Sequence, residues 1–198
     1  MTEINVIFDI DDVLNNLNDV VFETLGIKDK LKDIKHFNVS DNVGSVLTKE
    51  EADKIIEMYG DANTFARVQV ASDKVKDIMK LERLSTNKCR VNVKIYSACY
   101  TESIKAEKLK FLSTKIGVRL ENITFSGMDK KPLAVNKTDV VVEDNGEWLE
   151  SYDDCIKILI DKPYNREYKN VNRMSNIDEA LEFIEETIKK TINKAESM

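Results

Sequence analysis

Residues 4–14, Ile-Asn-Val-Ile-Phe-Asp-Ile-Asp-Asp-Val-Leu, constrain this chain more than any other stretch. Val6, Ile7 and Phe8 make a short apolar run of the kind that forms a parallel strand buried on both faces, and the run stops at Asp9, Asp11 and Asp12. In an open parallel sheet the carboxyl ends of the strands are where the strand-to-helix loops form a ligand crevice. Carboxylates crowded there repel one another unless a cation sits among them, and hard oxygen donors suit Mg²⁺. The plainer account, an acidic turn capping a helix from about Asn15, would serve for a lone Asp-x-Asp. Three later segments of the chain decide against it.

Leu17, Val20, Val21 and Leu25 recur at helical spacing and Gly26 stops them. From Ile27 to Ala71 the sequence is polar and loop-rich, then helical from Lys49 to Tyr59, where Thr48 and Glu51 spell a capping box and Gly60 an end. Residues 16–71 therefore read as a small, mostly helical cap inserted after the first strand, leaving 1–15 and 72–198 as the core. Ser72 should cap a helix through Leu84 with Val75, Ile78 and Met79 inward. Val91, Val93 and Ile95 alternate as a second strand ending at Tyr96-Ser97-Ala98-Cys99. A helix over Thr101–Ile116 closes at Gly117, a third strand falls near Ile123–Phe125, and Ser-Gly-Met-Asp-Lys-Lys-Pro comes next. Val140, Val141 and Val142 run into Glu143-Asp144-Asn145-Gly146 as a fourth strand, and Ile156–Ile160 gives a fifth. Ser175 or Asn176 caps a final amphipathic helix. Strands alternating with helices predict an α/β, three-layer, doubly wound parallel sheet with a Rossmann-like core.

Composition narrows the partners. A formal net charge of −6 argues against binding a nucleic-acid polymer, which needs a basic surface. The N-terminus enters the first strand almost at once, so neither a signal peptide nor a membrane span is expected and the chain should be cytoplasmic. Cys89, Cys99 and Cys155 are widely spaced and lack a CxxC pair, as idle thiols in a reducing compartment would be. The single histidine, His36, makes a His-based triad improbable.

Polar chemistry thus falls at Asp9 and Asp11, at Ser97, at Lys130 or Lys131, and at Glu143 with Asp144. This order resembles the haloacid-dehalogenase-like phosphohydrolases, with their D-x-D strand end, Ser or Thr strand end, Lys, and second acidic strand end. The resemblance implies Asp9 as nucleophile toward phosphorus and Asp11 as general acid and base. It implies Mg²⁺ held by Asp9, the Asp11 carbonyl and Asp144, with Glu143 as an outer partner. Ser97 and backbone N–H groups of the turn beginning at Ala98 would hold the phosphoryl oxygens, and the lysine would neutralise remaining charge. Of the two lysines, Lys131 is favoured because Pro132 can open a helix and aim its neighbour at the strand ends. Within the superfamily the chain is similar to the 5′(3′)-deoxyribonucleotidases, through the helical insert, the Phe65–Val70 segment entering the Ser72 helix and the run Asp161-Lys162-Pro163-Tyr164-Asn165-Arg166. That implies a small phosphate ester as partner, a nucleoside monophosphate above all. Another small phosphate ester, or a catalytically inactive binding role, is the alternative. Such enzymes commonly carry Gly where this chain has Asp12. Phe37 lies where an aromatic could stack on a base, although packing within the insert, whose small core needs aromatics, is the better account of it.

Overall fold

The structure is a computed structural model that describes residues 1–127 and 133–197. Strands β1 (Thr2–Phe8), β2 (Cys89–Ala98), β3 (Ile123–Ser126), β4 (Val140–Glu143), β5 (Ile156–Ile160) and β6 (Asn172–Met174) form one sheet. Their order is β3-β2-β1-β4-β5-β6 and every pairing is parallel. The sheet is thus doubly wound, and its order reverses between β1 and β4, where Val6, Ile7 and Phe8 lie beside Val140, Val141 and Val142. A ligand crevice is expected outside the carboxyl ends of these two strands.

The two faces are covered unequally. Ile4, Val6 and Phe8 of β1 and Val91, Val93 and Ile95 of β2 share a large core with the C-terminal helix α6 (Ile177–Glu196), whose Ile177, Ala180, Ile184, Ile188 and Ile192 are its buried stripe. Ile7, Tyr96, Val141 and Leu159 face a smaller cluster with Leu149 and Tyr152, at and just past α5 (Gly146–Glu150).

Between β1 and β2 the chain forms α1 (Leu17–Thr24), α2 (Lys49–Tyr59) and the single turn α3 (Ala62–Phe65). The capping box at Thr48 and Glu51 closes reciprocally, with Glu51 N–H donating to Thr48 Oγ1 at 3.2 Å and Thr48 N–H to Glu51 Oε2 at 2.8 Å. The two stems of this insert run antiparallel: Asn15 bridges Val70, and Ala71 N–H donates to the Leu14 carbonyl at 2.9 Å. Leu17, Val21, Phe22, Ile55 and Phe65 of the insert join the large sheet-face core instead of forming one of their own.

The stretch after Ser72 is a helix, but its hydrogen bonds are of the 3₁₀ type over Asp73–Leu84. Its buried residues are Val75, Ile78 and Leu81, spaced by three, which places them on one face of a helix with three residues per turn. Met79, expected inward on an α-helical period, is only half-buried. Helix α4 (Glu102–Phe111) is capped by Thr101 and runs on to Ile116, where Gly117 at φ +80° ends it. Strand β6 was not expected from the sequence, being three residues on the sheet edge without an apolar run. Among the described residues, no helix is long and apolar enough to cross a membrane.

Candidate active site

The carboxyl ends of β1, β2 and β4 bring Asp9, Asp11, Ser97 and Asp144 to one pocket of about 310 Å³. Asp9, which follows β1, is buried together with Glu143 and Asp144 at the end of β4. Each of the three offers a carboxylate oxygen, and these oxygens all lie within 4.8 Å of one another. An all-oxygen donor set this compact fits a hard divalent cation. Glu143, expected as an outer partner of a cation, stands within the cluster itself.

Asp11 turns away from that cluster. Its Oδ1 accepts from Asn15 Nδ2 at 3.1 Å and its Oδ2 from Lys108 Nζ at 2.6 Å. The Asp11 carboxylate is thus held from two sides, one of them the stem of the insert. Asp12 has φ +56°, in the left-handed region that glycine enters freely and Asp tolerates with local support. The support is present: Asp12 N–H donates to Asn15 Oδ1 at 3.0 Å, and Asp12 Oδ1 accepts from Asn18 N–H at 3.1 Å. Burial, opposed by Lys162 and reinforced by Asp144, pushes the Asp12 carboxyl up to about 8.

Lys108 is a site residue that the sequence did not single out. It is 1% exposed, and its ammonium donates to Asp11, to Ser97 Oγ at 3.1 Å and to the Ala98 carbonyl at 2.8 Å. Burial by itself would depress this ammonium, but the carboxylates of Asp11 and Asp9 outweigh it and hold Lys108 above its usual value. It stays charged. A signal was available: Lys108 lies four residues after Ile104 and three before Phe111, on the buried stripe of α4. Lys130 and Lys131, the lysines expected at the site, lie outside the described residues.

The late Pro163-Tyr164-Asn165 run also enters the site. Tyr164 donates its hydroxyl to Asp144 Oδ2 at 2.5 Å. Asn165 Nδ2 donates to the Asp144 carbonyl at 2.7 Å and to that of Ile160 at 2.8 Å, clamping the acidic loop to the end of β5. Burial raises the hydroxyls of Tyr164 and of Tyr59 well above the usual phenol value, and nearby Asp144 and Asp12 add to it, so both remain donors. Above this floor the pocket is apolar and aromatic, with Phe22, Leu31, Ile34, Ile56 and Phe65 from the insert among its walls. Phe37 stands 5.8 Å from Trp148 and 5.7 Å edge-on from Tyr164, so it both packs the seam and lines the pocket, while staying about half exposed.

Comparison with known proteins bears on the family and the fold. The profile of the family described as 5′ nucleotidase, deoxy (pyrimidine), cytosolic type C protein matches residues 2–191. A haloacid-dehalogenase-like hydrolase from Streptococcus pneumoniae superposes with a TM-score of 0.58 at 13% identity, covering 91% of this chain and 97% of its own. A hydrolase from Pseudomonas syringae does so with a TM-score of 0.55 at 11% identity, covering 92% and 98%. Both likenesses concern the fold. The 26S proteasome regulatory subunit rpn501 of Schizosaccharomyces pombe is 24% identical over 148 residues, 72% of this chain. The chain spans about a third of that relative, 33% of its length.

Proposed function

Since the chain belongs to the 5′-nucleotidase, deoxy (pyrimidine), cytosolic type C family, we propose that it is a Mg²⁺-dependent phosphomonoesterase acting on nucleoside monophosphates, deoxyribonucleotides preferred. The observation that carries this proposal is the buried trio Asp9, Glu143 and Asp144 beside Ser97 and the Lys108 ammonium, at the floor of a pocket walled by aromatic and aliphatic side chains. The floor suits a phosphoryl group and the walls suit the flat face of a base. The family's cytosolic designation accords with a cytoplasmic location.

Asp9, Glu143 and Asp144 would hold the cation, with the Asp11 carbonyl as a further donor. Bound there, Mg²⁺ screens the repulsion between a carboxylate nucleophile and an anionic phosphate. An Asp9 oxygen attacks phosphorus as the bond to the ester oxygen breaks, and Asp11, which has to enter this step in its protonated form, gives that oxygen its proton. Water, losing a proton to Asp11, then attacks the phosphorus of the aspartyl-phosphate, releasing Asp9 and inorganic phosphate. Ser97 donates its hydroxyl to a phosphoryl oxygen, together with backbone N–H groups of the turn beginning at Ala98. Lys108 is shared between Asp11 and Ser97, so a phosphoryl oxygen docked on Ser97 meets the ammonium and loosens its hold on the acid. Lys131, or Lys130 next to it, is proposed to neutralise remaining charge on the phosphoryl group. Residues 16–71 act as the cap that selects the leaving group, and Phe37 supplies an edge for the base.

A phosphate-release screen in Mg²⁺ tests this directly. Deoxyuridine and thymidine monophosphates should be turned over faster than sugar phosphates. Equal or better turnover of the sugar phosphates would overturn the nucleotide assignment while leaving the phosphatase.

A further inference from the structure

A line of hydrogen bonds crosses from the insert to the cation cluster. Tyr59, the last residue of α2, donates its hydroxyl to Asn18 Oδ1. Asn18, in the first turn of α1, donates through Nδ2 to the Tyr164 hydroxyl at 3.4 Å. Tyr164 in turn donates to Asp144 Oδ2 at 2.5 Å. A phenol has one proton to give, so with that proton on Asp144 the Tyr164 oxygen faces Asn18 as an acceptor, and the direction of the line is set. Asn18 is a hub: its backbone N–H also fixes Asp12 Oδ1. Three segments distant in sequence, at Asn18, Tyr59 and Tyr164, thus converge on one orientation of the Asp144 carboxylate.

Resting on the function proposed above, we propose that Tyr164 is a positioning residue for the cation site, and that the cap holds Tyr164 in place through Asn18 and Tyr59. A carboxylate whose free rotation is removed by an outer hydrogen bond binds a metal more tightly. Displacing α1 or α2 from the core removes the Asn18 contact to Tyr164, and with it one restraint on the orientation of Asp144. Cation binding and cap closure are therefore linked, and by reciprocity cation binding favours the closed cap. The same seam carries a reporter, because Trp148, the only tryptophan, is 5.8 Å from Phe37 of the insert.

The test is a Mg²⁺ titration of the intact protein without substrate, followed by calorimetry and by Trp148 fluorescence, for wild type, Tyr164→Phe, Tyr59→Phe and the double variant. Tyr164→Phe should weaken Mg²⁺ binding by about 10-fold, the usual scale for losing an outer-shell partner. Tyr59→Phe, whose hydroxyl does not touch Asp144, should weaken it by a smaller factor, and the double variant by no more than Tyr164→Phe alone, because one line runs through Tyr164. Melting temperatures without Mg²⁺ should change little, which separates positioning from simple destabilisation. Tyr59→Phe titrating like wild type, or effects that multiply in the double variant, would overturn the link. Those results can arise in a protein that still hydrolyses nucleotides. Conversely, linked Mg²⁺ binding in a protein that releases no phosphate would defeat the proposed function alone.

Discussion

The opposite ends of β4 hold buried carboxylates on different terms. Just before the strand, Asp139 is wholly buried, with Asn5 N–H at 2.7 Å and Asn5 Nδ2 at 3.0 Å on one oxygen and Asn136 N–H at 2.8 Å on the other. Donors are matched to one charge, and the group acts as a staple between β1 and β4. Just after the strand, Glu143 and Asp144 meet Asp9, with one carboxylate oxygen of each within 4.8 Å of the others, so three acids crowd one space. One end seats a single acid among its donors; the other gathers three acids, the crowding on which the proposed cation site rests. Burial of a carboxylate is thus no mark of function in itself; the crowding of acids is what sets the two ends apart.

Asp9→Asn should separate the ends most sharply, with phosphate release falling on the order of 10⁴-fold or more, as loss of a covalent nucleophile does. The fold should survive, since one repelling charge has gone, and circular dichroism with a melting curve checks this. Ser97→Ala should lower kcat by about 10²-fold through one lost donor to the phosphoryl group, with KM for the nucleotide moving less. Steady-state kinetics distinguish the two parameters.

Asp139→Asn should act oppositely, costing about 1–3 kcal/mol in urea unfolding because an amide NH₂ would face a backbone N–H, while kcat of the folded enzyme is kept. Lost activity with unchanged stability would erase the contrast between the ends. Adding Mg²⁺ should raise the wild-type melting temperature, by about 2.7 kcal/mol of stabilisation at 100 times Kd, and should do so far less in Asp144→Asn. A last effect, on stability alone, concerns the backbone beyond the acidic loop. A Cβ at Gly146 would stand 2.1 Å from the Tyr168 ring, so Gly146→Ala should cost roughly 1–3 kcal/mol, read from the urea midpoint.

How much the sequence disclosed depended on the range of the physics. The apolar runs at Val6–Phe8, Val140–Val142 and Ile156–Ile160 are local signals, and each became a strand. The acids at the strand ends were legible with them, because the chain passes directly from strand to loop. Lys108 was harder to see because the α4 sequence also carries Lys105 and Lys110, and composition does not distinguish the lysine on the buried stripe. Tyr164 likewise resembled a turn residue after Pro163; only the packing of that turn against β4 gives it Asp144. The 3₁₀ character of Asp73–Leu84 was present as a three-residue spacing of Val75, Ile78 and Leu81, read on an α-helical period that brought Met79 in place of Leu81.

The central claim is that Asp9 carries the phosphoryl group. Enzyme quenched in acid while turning over thymidine monophosphate in Mg²⁺, then digested and mapped by mass spectrometry, should bear a phosphoryl adduct on the peptide containing Asp9. Asp9→Asn should show neither adduct nor turnover; turnover persisting undiminished in that variant would contradict the account.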